Sequence, residues 1–374
     1  MPSVLIIGGG VIGLTAAWRL AQAGHFVTVV ERQTFGSGAS NAAAGMLAPQ
    51  IEAEPGEEQL LPLLLAARDA WPAFVEELQD YSGIYLGYRR EGTLMLAADT
   101  DQYRVIRRHY DYLNNTLHLP MEWLEESTLK VLEPRLSPNI VGGFKSPLDH
   151  QVDARLVIKA LVKACEAAGV HLLSNTIASE LMVTKNTVTG IRALLEPILS
   201  DAVILCGGAW TRLLRYLPPS IKSLIRPVKG QMLTLRMEED DPLLSHVVWG
   251  EKIYLVPKAD GRLLLGATVE DVGFNEGVTA GGMFHLLEHA EELLPGINEL
   301  KFIDSWASFR PGSLDDAPIV GKTPLENLYI LGGHYRNGVL LAPLTGSLAP
   351  TILNSPDLPP LWRPYTMDRF SGIL

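Results

Sequence analysis

The chain has 374 residues, 47% of them hydrophobic and 20% charged, with a formal net charge of −11 from 31 basic and 42 acidic side chains. That apolar content supplies a large core and excludes a disordered chain. The acidic balance argues against a nucleic-acid partner, which needs a basic surface.

Val4–Ile7 (VLII) reads as a buried strand, and Gly8, Gly9, Gly10, Val11, Ile12 and Gly13 follow at once. This is G-x-G-x-x-G opening an apolar helical stretch, LTAAWRLAQAG, before a second strand, FVTVV, that ends on Glu31. Each part has a physical task. Gly8 permits the tight turn, Gly10 lets the backbone approach a pyrophosphate, and Gly13 lets the helix sit on the strand. The helix N-terminus offers free N–H groups to phosphates, and Glu31 can bind a ribose hydroxyl pair. An ADP-containing dinucleotide is therefore expected here.

A small-residue loop, GSGASNAAAGMLAPQ, and an acidic stretch, EAEPGEEQ, lead into a helix running to about residue 80. Its apolar run contains Pro62 and reaches Arg68 too soon to span a bilayer. The first strand begins so early that no signal peptide is expected. Next come a strand (GTLMLAA), a helix around Tyr103–Leu113, and the amphipathic VDARLVIKALVKACEAAG. Short alternating strands follow, then AVILCGGAW, further strands at QMLTLRM, HVVW, KIYLVPK and RLLLGAT, a helix near 280–294, and the strand-like FIDSWASFRPG. Cys165 and Cys206 have no metal spacing and form no disulfide framework, which fits a reducing cytoplasm.

Cofactor-like pieces at the start, middle and end thus alternate with strand-rich pieces. The expected fold class is α/β in two interleaved domains: a Rossmann-like unit over 1–85, 141–220 and 311–374, and an antiparallel-sheet substrate unit over 86–140 and 221–310. The last Rossmann-like piece, YILGGHYRNGVLLAP, ends a strand at Gly332-Gly333 and starts a helix near Asn337-Gly338. A second helix N-terminus aimed at the cofactor stabilises negative charge there, which a flavin develops on reduction and a nicotinamide does not.

These elements come in a particular order: Gly8-x-Gly10-x-x-Gly13, Glu31-Arg32, Ser40–Leu47 (SNAAAGML), Pro227–Gln231 (PVKGQ), Tyr254–Pro257, Gly261–Thr268, Arg310-Pro311-Gly312 and Gly333–Gly338. As an ordered set over nearly the whole chain they resemble the D-amino-acid-oxidase-like flavoproteins, and within them the glycine oxidases associated with thiamine biosynthesis. The resemblance implies non-covalent FAD. Val11, Ile12, Glu31, Arg32, Ala39 and Ser40 would line it, together with Ala44, Gly45, Met46, Ile177 and Gly207. His334, Tyr335, Arg336, Asn337, Gly338, Val339 and Leu340 would close over it.

It further implies that Arg310 and Tyr254 grip a substrate carboxylate, Arg310 through two parallel hydrogen bonds, and that Arg336 contacts flavin and substrate. Hydride would pass from the substrate Cα to flavin N5, the imine would hydrolyse to an α-keto acid (glyoxylate from glycine) and ammonia, and oxygen would yield hydrogen peroxide. The partners implied are a small amine and oxygen, with no membrane and no metal, in a cytoplasmic homotetramer. VVWGEKIYLV departs from the family pattern, placing Trp249 and Lys252 where tyrosine and histidine are expected. That leaves the order of glycine, sarcosine and small D-amino acids open. A quinone-linked D-amino-acid dehydrogenase, a non-catalytic dinucleotide-binding protein and an NAD-dependent dehydrogenase are the competing readings.

Overall fold

A computed structural model describes residues 2–193, 196–355 and 357–372. The strand Ser3–Ile7 sits inside a six-stranded sheet, between Phe26–Val30 and Ala202–Leu205. Beyond these lie His171–Leu173 on one side and Leu328–Gly332, then Ile319–Lys322, on the other. All neighbours run parallel except the last pair. A parallel sheet covered on both faces needs continuous apolar strands rather than alternating ones, and Val4, Leu5 and Ile6 are all buried.

One face carries the helices Val11–Gln22, Leu61–Ser82, Ala154–Ala167 and Gly338–Asn354, whose apolar sides meet around Leu14, Trp18, Trp71, Leu161 and Leu341. Asp153 fixes the start of the third of these by accepting the Arg155 and Leu156 N–H groups at 2.9 and 3.2 Å. The other face packs on a small antiparallel sheet of Glu180–Thr184, Thr187–Arg192 and Pro197–Leu199, through Leu5, Val203, Leu181 and Ile191.

The second large sheet has eight strands, in the order Lys301–Gly312, Arg226–Arg236, Arg262–Gly266, Tyr254–Pro257, Val247–Trp249, Thr93–Ala97, Gly142–Ser146 and Glu122–Leu124. It is antiparallel apart from the pairing of Val247–Trp249 with Thr93–Ala97. Helix Ala280–Leu293 covers one side through Leu286, Ala290 and Leu293.

A boundary at residue 141 falls one strand too early, because Gly142–Ser146 belongs to this second sheet. The segment GGFKS has one large apolar side chain and hence no readable alternation. Its glycine is needed for close approach: a Cβ on Gly143 would lie 2.2 Å from the Met95 carbonyl oxygen across the pair. A short ladder of Met46–Leu47 with His150–Gln151 lies in the small-residue loop, where no strand pattern is visible.

Candidate active site

A cavity of about 1360 Å³ begins at the carboxyl ends of the parallel strands and reaches the eight-stranded sheet. Ligands of open α/β sheets sit at this end of the strands. The volume exceeds the roughly 300–1,000 Å³ of an ordinary small-molecule pocket and leaves room for a dinucleotide and a second, small molecule.

Backbone makes the near end. Gly8 has φ +110°, and a Cβ there would lie 2.3 Å from the Cys206 carbonyl oxygen, so no side chain fits. Gly10, Val11 and Ile12 line the cavity behind it. Gly13 does not line it; a Cβ there would meet the Gly8 carbonyl oxygen at 1.9 Å, so its task is helix–strand contact. Ser40 Oγ accepts the Val11 N–H at 2.9 Å, tying the small-residue loop to the helix start. Glu31 lines the cavity but also accepts the Gly9 N–H at 2.8 Å and the Gln33 N–H at 3.0 Å, so it braces the glycine turn. The Arg32 guanidinium lies 3.9 Å over the Trp210 ring.

Ala39, Ala44, Gly45 and Met46 continue the wall, and Ile177 and Gly207 face them. From the C-terminal unit, His334, Tyr335, Arg336, Gly338 and Val339 reach the cavity. Asn337 and Leu340 do not line it, contrary to expectation. They turn inward as the helix begins: Asn337 is buried, and the Leu340 carbonyl accepts the Trp71 indole N–H at 2.9 Å. His334 is buried against Thr345 (Nε2···Oγ1 3.1 Å), and burial pushes its imidazole down to about 3. It stays neutral at ordinary pH.

Side chains make the far end. Arg310 comes from the edge strand Lys301–Gly312, opposite Val228. Its Nη1 donates to the Thr268 carbonyl at 3.1 Å. Gly230 clears the space it occupies, since a Cβ there would lie 2.5 Å from Arg310 Nη1. Tyr254 uses the same device: a Cβ on Gly266, its cross-strand partner, would fall 2.5 Å from the Tyr254 ring. The Tyr254 hydroxyl lies 3.7 Å from Met232 Sδ, and its ring lies 5.2 Å from that of Trp249. Burial raises the phenol's pKa against the opposing pull of Arg310, so it remains a neutral donor. Trp249 and Lys252 both line this end.

The sequence gives no sign of the carboxylates around Arg336. Its Nε lies 3.1 Å from Glu52 Oε2 and its Nη2 2.6 Å from Glu57 Oε2. Glu52 also lines the cavity, and burial pushes its carboxyl up to about 7 against the opposing pull of Arg336. Asp149 holds that loop by accepting the Gln50 and Ile51 N–H groups at 3.1 and 2.7 Å. Asp315 and Asp316, adjacent and superficially an acid/base pair, instead bind Arg369 (2.8 Å) and Arg226 (3.4 Å).

The sequence pattern of the DAO family, described as FAD dependent oxidoreductase, matches residues 3–349. The chain belongs to that family. It is 34% identical to a glycine oxidase of Geobacillus kaustophilus over 99% of this chain and 97% of that one. The crystal structure of glycine oxidase from that organism superposes with a TM-score of 0.89, covering 98% of both chains. A bifunctional protein ThiO/ThiG of Trichormus variabilis is 35% identical over 98% of this chain, which spans 55% of that relative's length.

The geometry fits the family's FAD. The glycine turn, the Gly338–Asn354 helix start and a cavity of about 1360 Å³ suit an extended dinucleotide. Cys206 lines the cavity and Cys165 does not. Cys165 is fully buried with its thiol pushed up to about 12 by burial, and Cys206, just past its strand rather than within it, is also raised by burial. Among the described residues no helix is long and apolar enough to cross a membrane, and no cluster suits a metal ion.

Proposed function

We propose that this FAD-dependent oxidoreductase oxidises glycine and other small amines such as sarcosine and small D-amino acids. The observation that carries the reading is the Arg310–Tyr254 pair, each side chain given room by a glycine, at the end of the dinucleotide cavity. A guanidinium beside a neutral phenol is a fitted site for one carboxylate.

Arg310 takes the carboxylate through two N–H groups, and the Tyr254 hydroxyl gives up its weak sulfur contact to donate to the same group. Fixing the carboxylate at both donors orients the substrate Cα, and orientation carries much of the rate. Trp249, packed on Tyr254, limits what the substrate carries beyond Cα. Neutral His334 holds the turn and is not a base. FAD held by the glycine turn and the Gly338–Asn354 helix start would supply the two-electron oxidation, with oxygen as the final acceptor reduced to hydrogen peroxide. A glycine or D-amino-acid substrate would leave as an α-keto acid and ammonia after hydrolysis of its imine, and sarcosine as glyoxylate and methylamine.

The likeness to glycine oxidase and to the bifunctional protein ThiO/ThiG further supports a place in thiamine biosynthesis. The test is anaerobic glycine added to the yellow protein. Bleaching, followed by recovery with peroxide on aeration, supports the oxidase. Bleaching that only a quinone or dye reverses favours a dehydrogenase, and no bleaching with any small amine overturns the reading.

A further inference from the structure

Beside the strand position that makes room for Arg310 lies a polar cluster that no step above uses, and three of its members, Gln231, Thr268 and Glu270, also line the cavity. Lys229 and Gln231 flank Gly230 on Arg226–Arg236 and, by the alternation of a strand, project from the face opposite to it. Both are 1% exposed. Lys229 Nζ lies 3.3 Å from Glu270 Oε2. Glu270 Oε1 accepts the Gln231 amide at 2.7 Å and also the Thr268 hydroxyl. Gln231 Oε1 accepts the Thr279 N–H at 2.8 Å, and Thr279 caps helix Ala280–Leu293. The same residues exchange backbone bonds: Lys229 and Glu270 donate to each other's carbonyls at 2.9 Å, and the Gln231 N–H donates to Thr268 Oγ1 at 2.9 Å.

This cluster fixes the Thr268 carbonyl, which accepts Arg310 Nη1 at 3.1 Å, and the Lys229 carbonyl, which lies 3.5 Å from it. A surface lysine–glutamate pair contributes little, but a buried lysine is costly unless paired, and here its partner sits on the segment that holds Arg310. We infer that Lys229, Gln231, Thr268 and Glu270 form a positioning cluster that sets the guanidinium of Arg310 for carboxylate binding. The inference rests on the carboxylate reading of Arg310. It makes Glu270, which lines the cavity, a determinant of substrate affinity through the placement of Arg310.

The experiment uses the FAD-loaded protein and acetate, a carboxylate with no amine to oxidise, titrated while the flavin bands are recorded. Wild-type protein should show a saturable perturbation. Glu270→Gln should raise the acetate Kd about tenfold, the size of one weakened charge-assisted contact, with FAD content unchanged. Its glycine KM should rise in parallel while kcat stays within about twofold, as expected when binding in ground and transition states is lost equally. Thr268→Val should move the Kd the same way by a smaller factor. Lys229→Met/Glu270→Gln, which removes both charges, should recover any Tm lost in Glu270→Gln but not the acetate affinity.

A saturable wild-type response with unchanged Kd in Glu270→Gln and Thr268→Val overturns the inference alone. So does a double variant that regains affinity together with Tm, which would make the pair purely structural. Absence of any wild-type response overturns the carboxylate site and the inference with it.

Discussion

The two ends of the cavity are built by different means. At the parallel sheet the ligand surface is largely backbone, a glycine turn and helix starts, each formed by a short local run of sequence. At the eight-stranded sheet it is side chains, Arg310 and Tyr254, held in place by glycines and carbonyls from strands far away in the chain. The first end depends on where backbone can pass, and the second on where a side chain is allowed to rest. Substitutions should therefore fail differently at the two ends.

The largest effect is expected from Gly8→Ala. A methyl group there meets Cys206 backbone and the residue must hold φ +110°, a combined cost on the order of 3 kcal/mol or more. Purified protein should be colourless or aggregated; a yellow Gly8→Ala protein of normal Tm would break the contrast. Next comes Arg310→Ala, which should keep its FAD yet raise the glycine KM by about a hundredfold or more, the worth of a lost charge-assisted pair. Steady-state kinetics beside flavin content checks this. Gly230→Ala sharpens the same point without removing any functional group. The new methyl displaces the guanidinium, and about a tenfold loss in kcat/KM should follow with FAD content and spectrum unchanged.

The smallest effect concerns His334, which belongs to the backbone-built end. Its folded pKa is depressed to about 3 by burial, whereas the unfolded chain takes up a proton near the ordinary value of about 6.5. The unfolded state therefore binds more protons between those values, so stability is lost as pH falls from about 6.5 towards 3. His334→Gln should flatten the slope of Tm against pH in that window; an unchanged slope would show that His334 is not the group responsible.

How much of this the sequence discloses follows the same division. Gly8, Gly10, Gly13 and Glu31 are readable because strand, turn, helix and acid follow one another within a single unit, and a local pattern encodes local geometry. Arg310 is visible through the family resemblance, while its Pro311-Gly312 neighbours, which continue the strand against Pro227 and Arg226, give no local sign of a site. Gly230 and Gly266 are visible only as members of motifs, because the reason for each is a side chain on another strand. Lys229 is harder still, since a lysine in a strand reads as a surface residue, yet it is buried and paired with Glu270. Gly142–Ser146 escapes for want of alternation, and Glu52 because an acidic loop carries no sign that Asp149 holds it under Arg336.

The central claim is that the parallel sheet holds the cofactor while Arg310, aided by Tyr254, governs binding of the carboxylate. The most direct measurement is an anaerobic glycine titration of wild-type and Arg310→Ala proteins at matched flavin content, following the bleaching of the flavin bands. The account predicts equal starting spectra, with half-bleaching of the variant displaced to about a hundredfold higher glycine. Superimposable titrations, or a variant that cannot retain its flavin, would contradict it.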